Sequence, residues 1–345
     1  MRQTAGVETH EPGIRTRLWQ HGELKSEHFA LDELSEHLQT EGSLVWVDLC
    51  EPDQQHLRQL AAELDLDQHA VEDAVTRGER PKATRHASHT FITAYATQLD
   101  EDPDPSRGPL HSRLALTRVS AFVLPQGIIT VRLDDHFDID AVVQRWDDNA
   151  DLIQHGVGAL VHGLLDVVVD SHFETVEQMD ELIESLEDGL FEESARTRTV
   201  QRNTYRVRKE LVELRRVVLP MREVVNAVLR HRTEAGHDNG PLDGWYADLY
   251  DHVLRVTEWT ESLRDMVTTV FETNLSLQDA RLNTVMKKLT GWAAIIAVPT
   301  AVTGWFGQNV AYPGFGKQSG LVASTIVIVA LASTLYLLFR RRGWI

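Results

Sequence analysis

The sequence predicts an α+β protein in three parts: an N-terminal cytoplasmic αβ domain (1–155), long stalk helices (156–288) and a C-terminal two-helix transmembrane hairpin (289–345). Three observations predict this. Runs rich in β-branched and aromatic residues are confined to the first part. No Gly or Pro interrupts the stretch from Trp245 to Thr290, where apolar residues recur at steps of four and three. Two apolar runs without a charged residue then close the sequence.

In the first part, Ser43 to Leu49 (SLVWVDL), His89 to Leu99 (HTFITAYATQL), Leu114 to Leu124 (LALTRVSAFVL) and Gly127 to Leu133 (GIITVRL) read as strands. Only Pro125 and Gln126 separate the last two, which suggests a hairpin. Phe29 to Leu38, Gln54 to Leu64 and His69 to Thr76 carry helical spacing. The unit is sandwich-like, with the strand order open. His86 and His89 are expected within a strand, on opposite faces, and Asp100 to Leu110 reads as a loop.

From Val157 the β signals stop. Val168 to Glu193 is an acidic amphipathic helix and Thr199 to Arg232 a basic one, so an antiparallel pairing of opposite charge is expected. Pro220 predicts a kink or break in the second, and Gly236 to Gly244 a connector. Leu249, Val253, Val256, Thr260, Leu263, Val267, Val270, Asn274 and Leu277 follow with the seam spacing of packed parallel helices. A helix from 245 to 306 would be about 90 Å long at 1.5 Å per residue.

Leu289 to Phe306 and Leu321 to Phe339 each have the roughly 20 residues that cross a ~30 Å hydrocarbon core. The link between them, 307–320, is short enough to force a hairpin. Lys287 and Lys288 precede the first span and Arg340, Arg341 and Arg342 follow the second. The positive-inside rule therefore puts both termini in the cytoplasm and the link outside, in a multi-pass protein of the cell membrane. One hairpin cannot enclose a polar path, so conduction would need several copies around an axis. A soluble domain merely anchored by its tail is the alternative.

Charge supports a soluble part that does not bind nucleic acid. The chain has 345 residues with 34 basic and 52 acidic, and a formal charge of −18. From Lys287 onward there are six basic residues and no acid; the preceding 28 basic and 52 acidic residues give −24. Phosphate backbones need a basic surface, whereas an acidic one is compatible with cations. Cys50 is the only cysteine, which excludes intrachain disulfides and multi-thiolate zinc sites. Met1 to Gly13 is polar, unlike a signal peptide, and keeps the acidic part in the cytoplasm. The sixteen histidines show no HExxH-type spacing, and no nucleotide loop or nucleophile elbow is present, so no enzyme is expected.

Asn283-Thr-Val-Met-Lys-Lys-Leu-Thr290, then Pro299, then Gly304-Trp-Phe-Gly-Gln-Asn309 resembles the first membrane helix and outer loop of CorA-type magnesium transporters, whose signature is Gly-Met-Asn. The segment 71–82 (VEDAVTRGERPK) is similar to that family's ED…QRPK run, Leu214 to Val225 (LRRVVLPMREVV) to its stalk, and Tyr246 to His252 to the start of its long helix. The resemblance implies a funnel-shaped homopentamer whose first membrane helix lines a pore. Glu272, Asn283, Met286, Leu289, Ala293, Ala297, Thr300 and Gly304 would be pore-lining. The steps of three or four from Asn283 to Gly304 agree with one face, although small-residue helix packing gives a similar stripe.

The resemblance also makes Gly307, Gln308 and Asn309 the selectivity filter, a ring of amides and carbonyls able to hold hydrated Mg2+. Gln308 stands where the family usually has Met, which leaves Co2+, Ni2+ and Zn2+ open as cargo beside Mg2+. Asp73 and Asp248 match the family's regulatory metal positions, across a subunit interface. Three functions are therefore carried forward: a Mg2+ channel gated by internal divalent cations, a Zn2+ transporter of the ZntB-like branch, and a non-conducting membrane-anchored scaffold or cation sensor.

Overall fold

The computed structural model describes residues 13–100, 112–190, 197–234, 236, 240–308 and 310–345. The expected loop at Asp100 to Leu110 falls outside them after Asp100, as do 191–193 of the acidic helix, 237–239 of the connector, Asn309 and residues 1–12. The chain divides into two units, Met1–Val270 and Phe271–Ile345, with the division inside one continuous helix.

The first unit is built on β1 (Ile14–Gln20), β2 (Glu23–Glu27), β3 (Ser43–Cys50), β4 (Lys82–Arg85), β5 (Thr90–Leu99), β6 (Leu114–Leu124) and β7 (Gly127–Arg132). They form one sheet in the order β2-β1-β3-β7-β6-β5-β4. β3 and β7 pair parallel, and the other neighbours are antiparallel, including the expected β6–β7 hairpin. Both faces are covered. Along β3, Val45, Val47 and Leu49 enter a core with Leu34 of α1 (Leu34–Gln39), Leu57 and Leu60 of α2 (Gln54–Glu63) and Ala70 and Ala74 of α3 (Gln68–Val75). Leu44 and Trp46 enter a second core, opposite, with Val142 and Trp146 of the helix at Ile139–Asp148 and Leu160 and Leu164 of the helix at Val157–Leu190. A strand buried on both faces reads as a continuous apolar run, which is why SLVWVDL was legible.

Helix starts follow capping chemistry. Asp53 accepts a bond from the Gln55 amide, Asp67 from those of His69 and Ala70, and Asp138 from that of Ala141. Each satisfies backbone donors that have no intrahelical partner. Between Asp67 and the sheet, His86 and His89 correct an expectation. They lie in the β4–β5 turn, not within a strand, and their rings stack at 4.8 Å rather than facing opposite ways. The turn, closed by His86 N–H donating to the His89 carbonyl (2.8 Å), brings residues three apart onto one side.

A buried polar network crosses the middle of the sheet. Arg132 Nη2 donates to Asp48 (2.7 Å), its Nε contacts both carboxylate oxygens, and Thr130 donates to the same carboxylate. Trp46 Nε1 in turn donates to the Thr130 hydroxyl (3.1 Å). Asp48 is fully buried and Arg132 nearly so, so the pair survives burial because its hydrogen-bonding groups are occupied.

After α4 (Ile139–Asp148) and the short α5 (Ala150–Ile153) come α6 (Val157–Leu190), α7 (Thr197–Val218), α8 (Met221–Glu234) and α9 (Asp243–Phe306). Gly163 lets α4 sit on α6: a Cβ there would lie 2.5 Å from Trp146 Nε1. α7 and α8 are separated at Leu219–Pro220, the expected break. α9 pairs with α6 in the same direction: His162 with Trp245, Phe173 with His252 and Trp259, and Asp180 with Trp259. It runs opposite to α8 and α7, as Arg232–Asp243, Asn226–Tyr250 and Arg215–Glu261 show.

The seam from Leu249 to Val270 is thus buried within its own chain, between α6 and the α7–α8 pair. Helix spacing identifies a packed face but not whose helix packs on it. The second unit contains the rest of α9 and α10 (Gln318–Arg341), both apolar and long enough to span a bilayer.

Candidate functional site

Within the second unit, α10 covers one side of α9. Trp292 approaches Tyr336 with ring centroids 6.4 Å apart, and Gly291 faces Phe339 and Ile345. Gly291 is buried, and Ile295, Val298 and Val302 are partly covered. At about 100° per residue these four share one direction, and Met286, Leu289, Ala293, Ala297, Thr300 and Gly304 cluster about 180° away.

All six are exposed, Met286 at 57 % and Leu289 at 62 %. Glu272 and Asn283 are exposed too, but they drift about 60–80° to one side, as a straight helix drifts against a repeat of 3.5. The flanks carry exposed Trp292, Ile296 and Trp305, bulky groups suited to lipid and its interface. The stripe is instead small or polar from Ala293 to Gly304, with the apolar Met286 and Leu289 before it. Pro299 lies inside the helix and removes the amide that would bond the Ile295 carbonyl, while the Thr303 hydroxyl donates to the Pro299 carbonyl (2.8 Å).

The segment expected to be the filter begins where α9 ends. Gly307 N–H donates to the Thr303 carbonyl (2.8 Å), and a Cβ on Gly307 would sit 2.9 Å from that oxygen, so this position accepts little but glycine. Gln308 is exposed, and its carbonyl accepts from Val310 N–H (2.7 Å). The loop is fastened to the helix end by rings: Tyr312 packs edge-on against Phe306 (5.1 Å) and against Phe315 (5.4 Å). Gly314, at φ +94°, closes tightly on Gly320. Gly307 and Gln308 are therefore held at the end of the helix that carries the stripe.

The two expected regulatory carboxylates lie on different elements of the first unit, each with its own partner. Asp73, on α3, receives the Lys82 ammonium at 2.6 Å, and Lys82 also reaches Glu79 at 2.9 Å. Burial pulls the Lys82 pKa down, but the two carboxylates outweigh it and hold the ammonium above its ordinary value. Asp248, on α9, is largely exposed, with His252 Nδ1 at 3.8 Å. Among the described residues of one chain, no group of three or more His, Cys, Asp or Glu could hold a metal ion. As hard oxygen donors the two carboxylates suit Mg2+, but one chain does not make a site of them. Lys82 was not singled out from sequence; its position in the RPK run, nine residues after Asp73, was the available signal.

The chain matches the family described as "CorA-like Mg2+ transporter protein" over residues 41–341. The cobalt/magnesium transport protein CorA of Thermotoga maritima is 28 % identical over 284 residues, covering 80 % of this chain and 76 % of that one. The zinc transport protein ZntB of Yersinia enterocolitica is 24 % identical, over 73 % of each. Among solved structures, the complete CorA magnesium transporter from Methanocaldococcus jannaschii superposes with a TM-score of 0.72 at 20 % identity, covering 96 % of this chain and 98 % of that one. With the family match running over residues 41–341 of its 345, the chain belongs to the CorA-like Mg2+ transporter family.

Proposed function

We propose that the chain is a homopentameric divalent-cation channel of the cell membrane, carrying Mg2+ first and Co2+ or Ni2+ as alternative cargo, with both termini in the cytoplasm. The observation that carries this reading is the stripe from Met286 to Gly304, turned away from α10 and left uncovered in the single chain. Small and polar groups facing lipid gain nothing, whereas around a symmetry axis they line a path.

Mg2+ sheds its water reluctantly, so a filter that passes it should bind through the water shell. Gly307 and Gln308 supply carbonyls and an amide, and Asn309 completes the ring in this reading. Thr300 gives a second polar ring, while Met286 and Leu289 form the hydrophobic constriction, Ala297 being too small for it. A ring of Glu272 concentrates cations below. Asp73 of one subunit and Asp248 of the next repel each other until a divalent cation joins them, which favours the closed bundle when internal Mg2+ is high.

Flux into proteoliposomes with Mg2+, Co2+, Ni2+ and Zn2+ in turn tests the proposal. Mg2+ flux that disappears in Asn309→Ala is the expected result, and unchanged flux removes the filter assignment. Gln308 in the Met position, together with the likeness to ZntB, favours one second reading: Zn2+ as cargo. Flux of Zn2+ but not Mg2+ would establish it. No flux of any ion through verified oligomers leaves the scaffold or cation-sensor reading.

A further inference from the structure

The first unit contains a cavity of about 380 Å³ where the β4–β5 turn, the β6–β7 turn and the first turn of α6 meet the end of α8 and Tyr246 of α9. Its lining differs in charge from the rest of the chain. In a protein of 52 acidic and 34 basic residues, the described lining residues include Arg85, His86, His89, His155, His231 and Arg232 and not one Asp or Glu. The carboxylates stand behind: Glu234 pairs with Arg85, Asp243 with Arg232 (3.2 Å) and Asp67 with His86 (3.5 Å). The first two contacts orient the guanidiniums of Arg85 and Arg232, and that of Arg232 is further seated 4.7 Å over the Tyr246 ring.

Two further features mark the cavity. The cavity includes Gly156, Val157 and Gly158, where α6 begins; a helix of 34 residues presents the positive end of its dipole there. His89, only 4 % exposed, has a fixed tautomer. Ser88 Oγ donates to the Asp65 carbonyl (2.6 Å) and so accepts from His89 Nδ1–H (3.0 Å), which leaves Nε2 as a buried acceptor, suited to a hydroxyl rather than to the phosphate, without a partner among the described residues. Burial, then His86, lowers the His89 pKa; burial, then Arg85, lowers that of His231. The opposite wall is apolar, formed by Ile92, Leu124, Val161 and Val228. A cavity with a cationic side, a helix start and an apolar wall fits an amphipathic anion better than a bare ion.

We infer that this cavity is a binding site for a small organic phosphate of the nucleoside monophosphate class, with the phosphate toward Arg85, His231, Arg232 and the start of α6 and the ring system against the apolar wall. The site is separate from the proposed ion path and does not rest on it. Because Tyr246 belongs to the first turns of α9, an occupant contacts the base of the helix that bears the stripe.

Calorimetric titration of the full-length protein in detergent, at fixed free Mg2+, tests this with three probes: adenosine monophosphate, inorganic phosphate and adenosine. Adenosine monophosphate should bind, inorganic phosphate about tenfold or more weaker for want of the apolar contact, and adenosine weaker still. Arg85→Gln with His231→Gln, both at partly exposed positions, should weaken adenosine monophosphate about tenfold or more without moving the unliganded unfolding temperature. Val228→Phe fills the apolar end and should block the nucleotide while sparing phosphate. No binding of adenosine monophosphate, equal binding of it and adenosine, or full binding by both variants would overturn the assignment.

Discussion

The two halves of α9 obey the same spacing and have opposite fates. Leu249, Val253, Val256, Thr260, Leu263, Val267 and Val270 are at most 1 % exposed, packed on α6 and α7–α8 of their own chain. Farther along, Met286, Leu289, Ala293, Ala297, Thr300 and Gly304 recur at steps of three and four and are exposed. The difference lies in chemistry rather than period. The first set is mostly branched and apolar and makes a core; the second is mixed, and α10 packs on the other side of its helix. A seam therefore tells which face is covered, and only the neighbours tell by what.

The comparison breaks most sharply with one carboxylate placed in each half. Val256→Asp buries a charge at a fully covered position and should lower stability by about 5 kcal/mol, at the extreme of single substitutions. Thermal unfolding of the full chain in detergent would show this as loss of the folded protein. Ala297→Asp should instead leave the unfolding temperature near its original value and alter ion flux. Were Ala297→Asp to prevent insertion or assembly, position 297 would face lipid and the lining assignment would fall.

A second contrast sets the centre of the sheet against its rim. Asp48→Ala leaves Arg132 buried without its counter-charge, and the loss should be about 3–5 kcal/mol. Asp73→Ala breaks an ion pair whose partners are each about a third exposed, and should cost under about 1 kcal/mol. Unfolding of both variants in the same detergent measures the gap; equal losses would mean that the Asp48 network is not what holds β3 to β7.

Acid gives the next effect. His172 on α6 is fully buried, donates through Nε2 to the Tyr95 carbonyl (2.7 Å), and has its pKa lowered to about 4, chiefly by burial. The folded state therefore binds fewer protons than the unfolded state. The stability this gives is complete above pH ~6.5 and is lost as pH falls toward ~4, about 3 kcal/mol in all. His172→Leu forfeits the hydrogen bond at every pH but should flatten that part of the acid limb. An unchanged slope between pH 6.5 and 4 would assign acid sensitivity to other groups.

What could be read from sequence follows the same logic of covering. β3, β5, β6 and β7 were legible because they are interior strands, buried and rich in β-branched and aromatic residues. β1 (IRTRLWQ) was not, although it is interior, because two arginines interrupt its apolar residues; nor were β2 (ELKSE) and β4 (KATR), the two edges of the sheet, short and polar, as edges must be to avoid pairing with other chains. The stacking of His86 on His89 depends on a turn closed by backbone bonds, which no side-chain pattern announces. On α9 the stripe was visible as a period, but its position opposite α10 is a tertiary fact. The basic cavity draws residues from several separate stretches of the sequence between Arg85 and Tyr246, and has no local signature.

The smallest effect concerns Lys82, which that reading passed over. Its ammonium already sits where the regulatory proposal puts a divalent cation, 2.6 Å from Asp73. In that proposal a resident +1 charge must be displaced or share the carboxylate before Mg2+ could bridge to a neighbouring subunit, so Lys82 would raise the Mg2+ concentration needed to close the bundle. Lys82→Gln removes the competing charge and keeps a hydrogen-bond donor. Protection of the stalk from protease should then appear at roughly two- to fivefold lower Mg2+, the equivalent of an exposed ion pair of under about 1 kcal/mol. Asp248→Ala should shift protection the other way, to higher Mg2+. A Lys82→Gln curve that coincides with the wild type would mean Asp73 is not the carboxylate the cation reaches, and the regulatory site would have to be sought elsewhere on the interface.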